Sequence, residues 1–409
     1  MKKGYTLVSC IGSSKKDNLY RKTEYRFEED GRTIKSSLSI CALIEYYKKE
    51  LKKVVIIGTE KSSWNELLSS NEDSDFFLSV EEQVSGSGIS KDTLARLENR
   101  LTESYGIQFR LLMHSSVLSD ATIIETMGVY SHVFDAIGSD SKLLIDITHG
   151  FRYMPMMLFQ ALQIRGDQYE TGEVKQLYGE YDGHVSSVKD ISKVWEMAEI
   201  NKQMYAFESS FDGIALGKTI NKYGEKQLGE WVMGFSDCVQ KNYVMLIKKE
   251  IIYLRSVIRR NITTDYQFIS ELISKLSELD SKFPSNSGAL SEYLLVFARI
   301  LNDKGLTTQA IIALREALFT RVFEKYAPEQ IGVFISLNDL DKKDYYKSFV
   351  DDCKSLCIYS DVISLNEKRN KIAHAGAELI NSNLNDFVTE INFERYYKAV
   401  ITAFTRILN

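Results

Sequence analysis

Two short segments combine residue types that can act on a phosphate. The first is Asp146-Ile147-Thr148-His149-Gly150-Phe151-Arg152, standing where an apolar run stops and a helical pattern starts. Gly150 permits close backbone approach, Thr148 supplies a hydroxyl, His149 an imidazole and Arg152 a guanidinium. A helix that follows them turns its unpaired N–H groups toward the same spot, which favours an anion. The plainer alternative is a strand-to-helix turn in which Thr148 caps the helix and His149 is simply half-buried. The second segment is Arg369-Asn370-Lys371-Ile372-Ala373-His374, late in an amphipathic stretch. An imidazole moves protons near neutral pH, and a guanidinium holds a phosphate as its charge grows. Together they can cut RNA through its own 2′-hydroxyl without a metal. Asn370 adds a further hydrogen-bond donor. On a helix, positions five apart lie about 140° around the axis, so one pocket needs long side chains or a local break to unite them. The alternative here is a solvated helix end, where cations are favoured.

A third candidate is Gly12-Ser13-Ser14-Lys15, with Lys16, after the first strand-like run. Its small residues and ammonium groups can embrace an anion, but it matches neither a P-loop nor the Gly-x-Gly-x-x-Gly fingerprint. No metal site is expected, because the five His, at 114, 132, 149, 184 and 374, stand in separate segments. No Gly-x-Ser-x-Gly occurs at a strand-to-helix turn, which removes the common hydrolase arrangement. Lys248, Lys249, Arg255, Arg259 and Arg260 form the densest basic helical run. It either guides RNA or is an exposed charged face.

The elements that must position these residues fall into two halves. Up to about residue 185, strand-like runs at Tyr5–Ile11, Val54–Gly58, Phe109–Met113, Leu143–Ile147 and Val174–Tyr181 alternate with helical patterns at Ser37–Leu51, Lys91–Tyr105, Asp120–Ile137 and Pro155–Arg165. Continuously apolar runs such as VVII and LLIDI predict parallel strands covered on both faces, hence a doubly wound α/β domain. Ligands then bind beyond the carboxyl ends of the strands, which makes the loops after Ile11, Gly58, Met113 and Ile147 the suspects. Gly172–Asp190 reads as a final hairpin turning at Asp182-Gly183. Glu82–Ser90 reads as a surface loop. Beyond residue 190 strand signals nearly vanish and helical periodicity persists, with segments at 193–211, 240–260, 264–281, 288–303, 306–326, 340–357, 360–375 and 391–408. The predicted domains are therefore 1–190 and 191–409, at roughly 100–200 residues per domain.

Composition sets outer bounds. With 409 residues, 44% of them hydrophobic, and 51 basic against 56 acidic side chains, the chain is globular, and its charge of −5 disfavours indiscriminate nucleic-acid binding. Five widely spread Cys form no framework. No apolar run reaches the roughly 18–20 residues of a membrane span, so the expectation is a cytoplasmic protein without a membrane partner.

Taken jointly, Asp146–Arg152 in an α/β half and Arg369–His374 in a helical half resemble the CRISPR-associated CARF–HEPN ribonucleases of type III systems, over essentially the whole chain. Ala310–Leu318 looks like the helix that precedes the catalytic segment in that family and brings Arg315 and Glu316 near it. The resemblance implies a Rossmann-like CARF domain followed by an all-α HEPN domain, working as a homodimer or a higher even-numbered oligomer. It implies that a cyclic oligoadenylate, with the tetra-adenylate ring preferred over the hexa-adenylate, binds across the dimer axis and switches on cleavage of single-stranded RNA. On this resemblance Arg369 and His374 are the catalytic pair, with Asn370 expected to assist as a donor by its own chemistry, and Thr148, His149, Gly150 and Arg152 bind the ligand. Gly12, Ser13, Ser14 and Lys15 are the looser partner loop, and no cofactor is required. A dimer also has a chemical rationale, because cleavage wants a base and an acid, and each chain supplies one motif imidazole. Two alternatives stay open: a non-catalytic ligand-binding regulator, and a CARF domain that also degrades its own ligand.

Overall fold

The computed structural model describes residues 4–13, 22–68, 74–137, 142–165, 172–260, 262, 264–326, 344–373 and 392–407. The chain divides into two compact units, Met1–Ala198 and Glu199–Asn409.

In the first unit, strands β1 (Tyr5–Cys10), β2 (Thr23–Phe27), β3 (Thr33–Ser36), β4 (Leu51–Thr59), β5 (Gln108–His114), β6 (Lys142–Asp146), β7 (Val174–Tyr181) and β8 (Val185–Asp190) form one sheet, ordered β3-β2-β8-β7-β6-β1-β4-β5. The predicted parallel core is present as β5, β4, β1, β6 and β7. The hairpin β7–β8 also forms, with Gly183 at φ 102° in its turn. The sheet is nevertheless mixed rather than wholly parallel. The segment TEYRF-to-TIKS, absent from the expected strands, makes an antiparallel pair whose inner strand β2 lies parallel to β8.

The uninterrupted apolar runs of β1, β4 and β6 are explained by burial on both faces. Leu7, Val54, Ile56 and Leu144 pack beneath α1 (Ser39–Tyr47), α2 (Ser74–Ser85) and α3 (Lys91–Tyr105). Val8, Val55, Ile57, Leu143 and Ile145 pack beneath α4 (Asp120–Ile137) and α5 (Tyr153–Arg165). Each such side chain contributes about 1.5–3 kcal/mol on burial, well above an exposed ion pair, so the two apolar layers hold the strand ends in place. The segment Glu82–Ser90 is a loop only from Gly86 onward. Phe76, Val80 and Val84 face the core at helical spacing and carry α2 through Ser85.

The second unit is helical throughout its described residues. It comprises α6 (Lys193–Ser210, which crosses the division), α7 (Ile214–Lys222), α8 (Lys226–Gln240), α9 (Ile247–Ile258), α10 (Gln267–Ser281), α11 (Leu290–Asp303), α12 (Thr307–Tyr326), α13 (Asp344–Ser355), α14 (Tyr359–Ala373) and α15 (Phe393–Arg406). Their inward faces join in one core that includes Trp231, Phe235, Tyr293, Phe297 and Leu314. Helices α7 and α8 fall where five glycines suggest breaks. Two of those glycines instead let the helices touch, since a Cβ on Gly217 would stand 2.6 Å from the Gly229 carbonyl.

Candidate functional site

Strand β1 is the pivot of the sheet. The chain adds β4 and then β5 on one side of it, and β6 and then β7 on the other, so the strand order reverses at β1 and β6, the position at which sheets of this kind carry a ligand crevice beyond the carboxyl ends of the strands. Gly12 and Gly150 bring the two loops together, since a Cβ on Gly12 would stand 3.3 Å from Gly150 Cα. Gly150 has φ 112°, and a Cβ there would meet Cys10 Cβ at 2.9 Å, so only glycine fits. The first turn is held from behind by the loop after β4. Ser62 Oγ donates to Ile11 O and Ser63 N to Gly12 O, both at 2.8 Å.

Asp146 closes β6 with its carboxylate wholly buried. It accepts from Ser9 Oγ of β1 at 2.8 Å, from Ser39 Oγ at the start of α1 at 2.7 Å, and from Thr148 N at 3.0 Å. A buried carboxylate needs donors of this kind, and these three join two strands, a helix and the loop in one knot. Thr148 does not cap a helix. Its Oγ1 accepts from Gly179 N of β7 at 2.8 Å. The loop continues over β7 and β8 so that His149 Nε2 lies 3.1 Å from the phenol of Tyr25 on β2. Burial lowers the His149 pKa below the ordinary imidazole value, against the opposing pull of Asp146, so the ring is neutral at neutral pH. Arg152 is exposed and directly precedes α5, and Ser13 is exposed beside Gly12. Ser14, Lys15 and Lys16 lie outside the described residues.

Behind the crevice sits a second polar group. Tyr130 is fully buried with its hydroxyl 3.4 Å from His114 Nε2, while His114 Nδ1 is 2.8 Å from Ser115 O. Burial lowers the pKa of His114 and raises those of Tyr130 and Cys10, which leaves the Cys10 thiol protonated and unsuited to be a nucleophile.

In the second unit, Arg369 stands on the last described turn of α14 with Nη2 3.7 Å from Glu316 Oε1 of α12. Arg315 Nη1 donates to both oxygens of Glu316 at 2.9 and 3.1 Å, and its guanidinium lies 4.0 Å over the Phe319 ring. One carboxylate thus sits between two guanidiniums, with side-chain exposures of 12% for Arg315, 19% for Glu316 and 27% for Arg369. The three charged groups share a partly solvated position. Asn370 continues the same helix, but its side chain and the whole of His374 lie outside the described residues. The basic run of α9 is in part committed elsewhere. Arg255 donates to Asp280, Asn286, Tyr293 Oη and two carbonyls, and Lys248 to Gly288 O, so neither is available to guide RNA.

Sequence reasoning misses Ser9, Ser39, Tyr25 and Gly179. Only Ser9 carries a signal, as a hydroxyl inside the apolar run YTLVSC. The other three depend on pairings between distant segments. Among the described residues, no group of three or more His, Cys, Asp or Glu is placed to hold a metal ion, and no helix is long and apolar enough to cross a membrane.

Comparison with known proteins bears on this arrangement. Residues 6–178 match the family model for the CARF domain of CRISPR system endoribonuclease Csx1. The CRISPR-associated protein MJ1674 of Methanocaldococcus jannaschii is 23% identical over 394 residues, covering 87% of this chain and 59% of that protein. The chain therefore spans about three fifths of the length of the curated relative it matches. Among solved structures, Enterococcus italicus Csm6 bound to cyclic hexa-2′-fluoro-hexa-dAMP aligns over 99% of this chain and 93% of that one, at 13% identity and a TM-score of 0.38.

Proposed function

We propose, from the match of residues 6–178 to the CARF family model, that the chain is a cytoplasmic, cyclic-oligoadenylate-activated endoribonuclease of type III CRISPR defence that cuts single-stranded RNA without a metal. The observation that supports the sensing half is the close approach of the Gly12 and Gly150 turns at the pivot of the sheet; in this reading their backbone N–H groups, with Thr148, His149 and Arg152, receive the ligand. Such a site takes a phosphodiester through N–H and guanidinium donors rather than through a metal. A ring of identical adenylates offers matching phosphates to matching loops of two chains, which favours a homodimer; the proposed ring is the tetra-adenylate, and the hexa-adenylate satisfies the same two-fold symmetry.

The cleaving half rests on Arg369, restrained by Glu316 beside Arg315. In the proposed reaction Arg369 holds the scissile phosphate. His374 of one chain takes the proton from the 2′-hydroxyl as that oxygen attacks phosphorus. His374 of its partner gives a proton to the departing 5′-oxygen, leaving a 2′,3′-cyclic phosphate. Asn370 donates to a phosphate oxygen.

The test is RNA cleavage in EDTA across cyclic tri-, tetra- and hexa-adenylate with linear controls. Cleavage is expected to rise with one cyclic ring only, and His374→Ala to lower it by about 10²–10⁴-fold with ligand binding retained. Full activity of His374→Ala would remove the proposed catalyst. Tight ring binding with no RNA cut would make the chain a non-catalytic regulator, and linear products from the ring would identify a self-limiting sensor.

A further inference from the structure

Strand β2 meets the loop after β6 through Tyr25. Tyr25 is 3% exposed, its ring packed in the α1–α3 face of the sheet, and its hydroxyl is 3.1 Å from His149 Nε2. Small residues clear the way between them. Tyr25 is in register with Ser186 of β8, and a Cβ on Gly179 of β7 would stand 2.8 Å from Ser186 Oγ and 2.9 Å from Thr148 Cγ2. Thr148 is tied down at Gly179 N. The loop therefore crosses two strands at their lowest point and ends on the phenol.

A phenol is a stronger acid than a neutral imidazole N–H, and an imidazole nitrogen is a stronger base than a phenol oxygen. The favourable arrangement of this pair is accordingly O–H donating to Nε2, with the ring proton on Nδ1.

We propose that Tyr25 is a positioning residue of the ligand site: by donating to His149 Nε2 it fixes the ring's orientation and tautomer, so that the imidazole offers an anionic phosphodiester an Nδ1–H donor rather than a basic nitrogen. This rests on the reading of the crevice as a cyclic-oligoadenylate site. Tyr25 itself touches no ligand and acts through His149.

The full-length protein tests this with cyclic tetra-adenylate and cyclic hexa-adenylate as titrants and with ¹⁵N-histidine NMR. Tyr25→Phe keeps the packed ring and deletes only the hydroxyl. It is expected to weaken ring binding by about tenfold, the size of one hydrogen bond to a charged group, and to convert the Nδ1–H signature of His149 into a mixture of tautomers. In a His149→Ala background the same change is expected to do nothing further. A second pair of variants does not depend on Tyr25→Phe folding. An Asn amide overlays the Nδ1 side of the ring and a Gln amide the Nε2 side, so His149→Asn is expected to bind the ring better than His149→Gln. Wild-type binding with Tyr25→Phe unchanged in affinity and tautomer, or Gln outperforming Asn, overturns the inference alone. Wild type binding neither ring overturns the functional reading instead, and the NMR signature then still decides whether Tyr25 sets the tautomer.

Discussion

Gly150 shows how narrowly the loop after β6 is specified by single residues. Its φ of 112° and the 2.9 Å approach a Cβ would make to Cys10 add two penalties, strain and overlap. Gly150→Ala is expected to lose about 1–3 kcal/mol of stability and at least tenfold in ring affinity, read by urea unfolding and calorimetric titration. A fully stable variant with unchanged affinity would show the turn to be dispensable. The chemistry of this loop is legible in the sequence because Thr, His, Gly and Arg crowd into five positions after an apolar run. What fixes it is not legible. Asp146 is held by Ser9 and Ser39, and His149 meets Tyr25, residues 107 to 137 positions away along the chain. No local pattern announces a hydroxyl waiting that far off.

At the scale of elements, the parallel strands and α3, α4 and α5 read directly from periodicity, because double-sided burial demands unbroken apolar runs and single-sided burial a helical stripe. Strands β2 and β3 escape that reading. Over four or five residues β2 alternates buried with exposed positions and β3 half-buried with exposed ones, and charged segments flank them. Helices α7 and α8 escape it because a glycine that lets two helices meet looks like one that ends them. Burial of titratable groups between these elements also sets a pH response. His114, behind α4, and His149, beneath the loop, both have pKa values lowered in the folded state. The unfolded chain protonates them first, near the ordinary value of about 6.5. Their contribution to stability is therefore intact above that pH and lost as pH falls below it. A falling Tm between pH 7 and 5.5, with a shallower slope in His114→Gln, is the expected result. Equal slopes in both proteins would assign the acid response to other groups.

For the whole molecule, the proposal that each chain gives one imidazole to a shared cut has a countable consequence. When wild type is mixed equally with His374→Ala and allowed to exchange partners, about one quarter of the dimers carry both imidazoles. Activity is expected to fall to that level rather than to one half, as measured by initial cleavage rates with saturating ring. A linear dependence on the wild-type fraction would mean that a single chain cuts unaided.

The bond between Ser9 and Asp146 spans 137 positions, and Gly179, which receives Thr148, comes later still. On the ribosome the first strand must wait for its central neighbour. At about 5–20 residues per second, the pivot of the sheet stays without that partner for roughly ten seconds or more. The two loops are therefore not tied down until about residue 179 has been made, and such long-range closure predicts slow refolding from denaturant compared with a domain of local contacts.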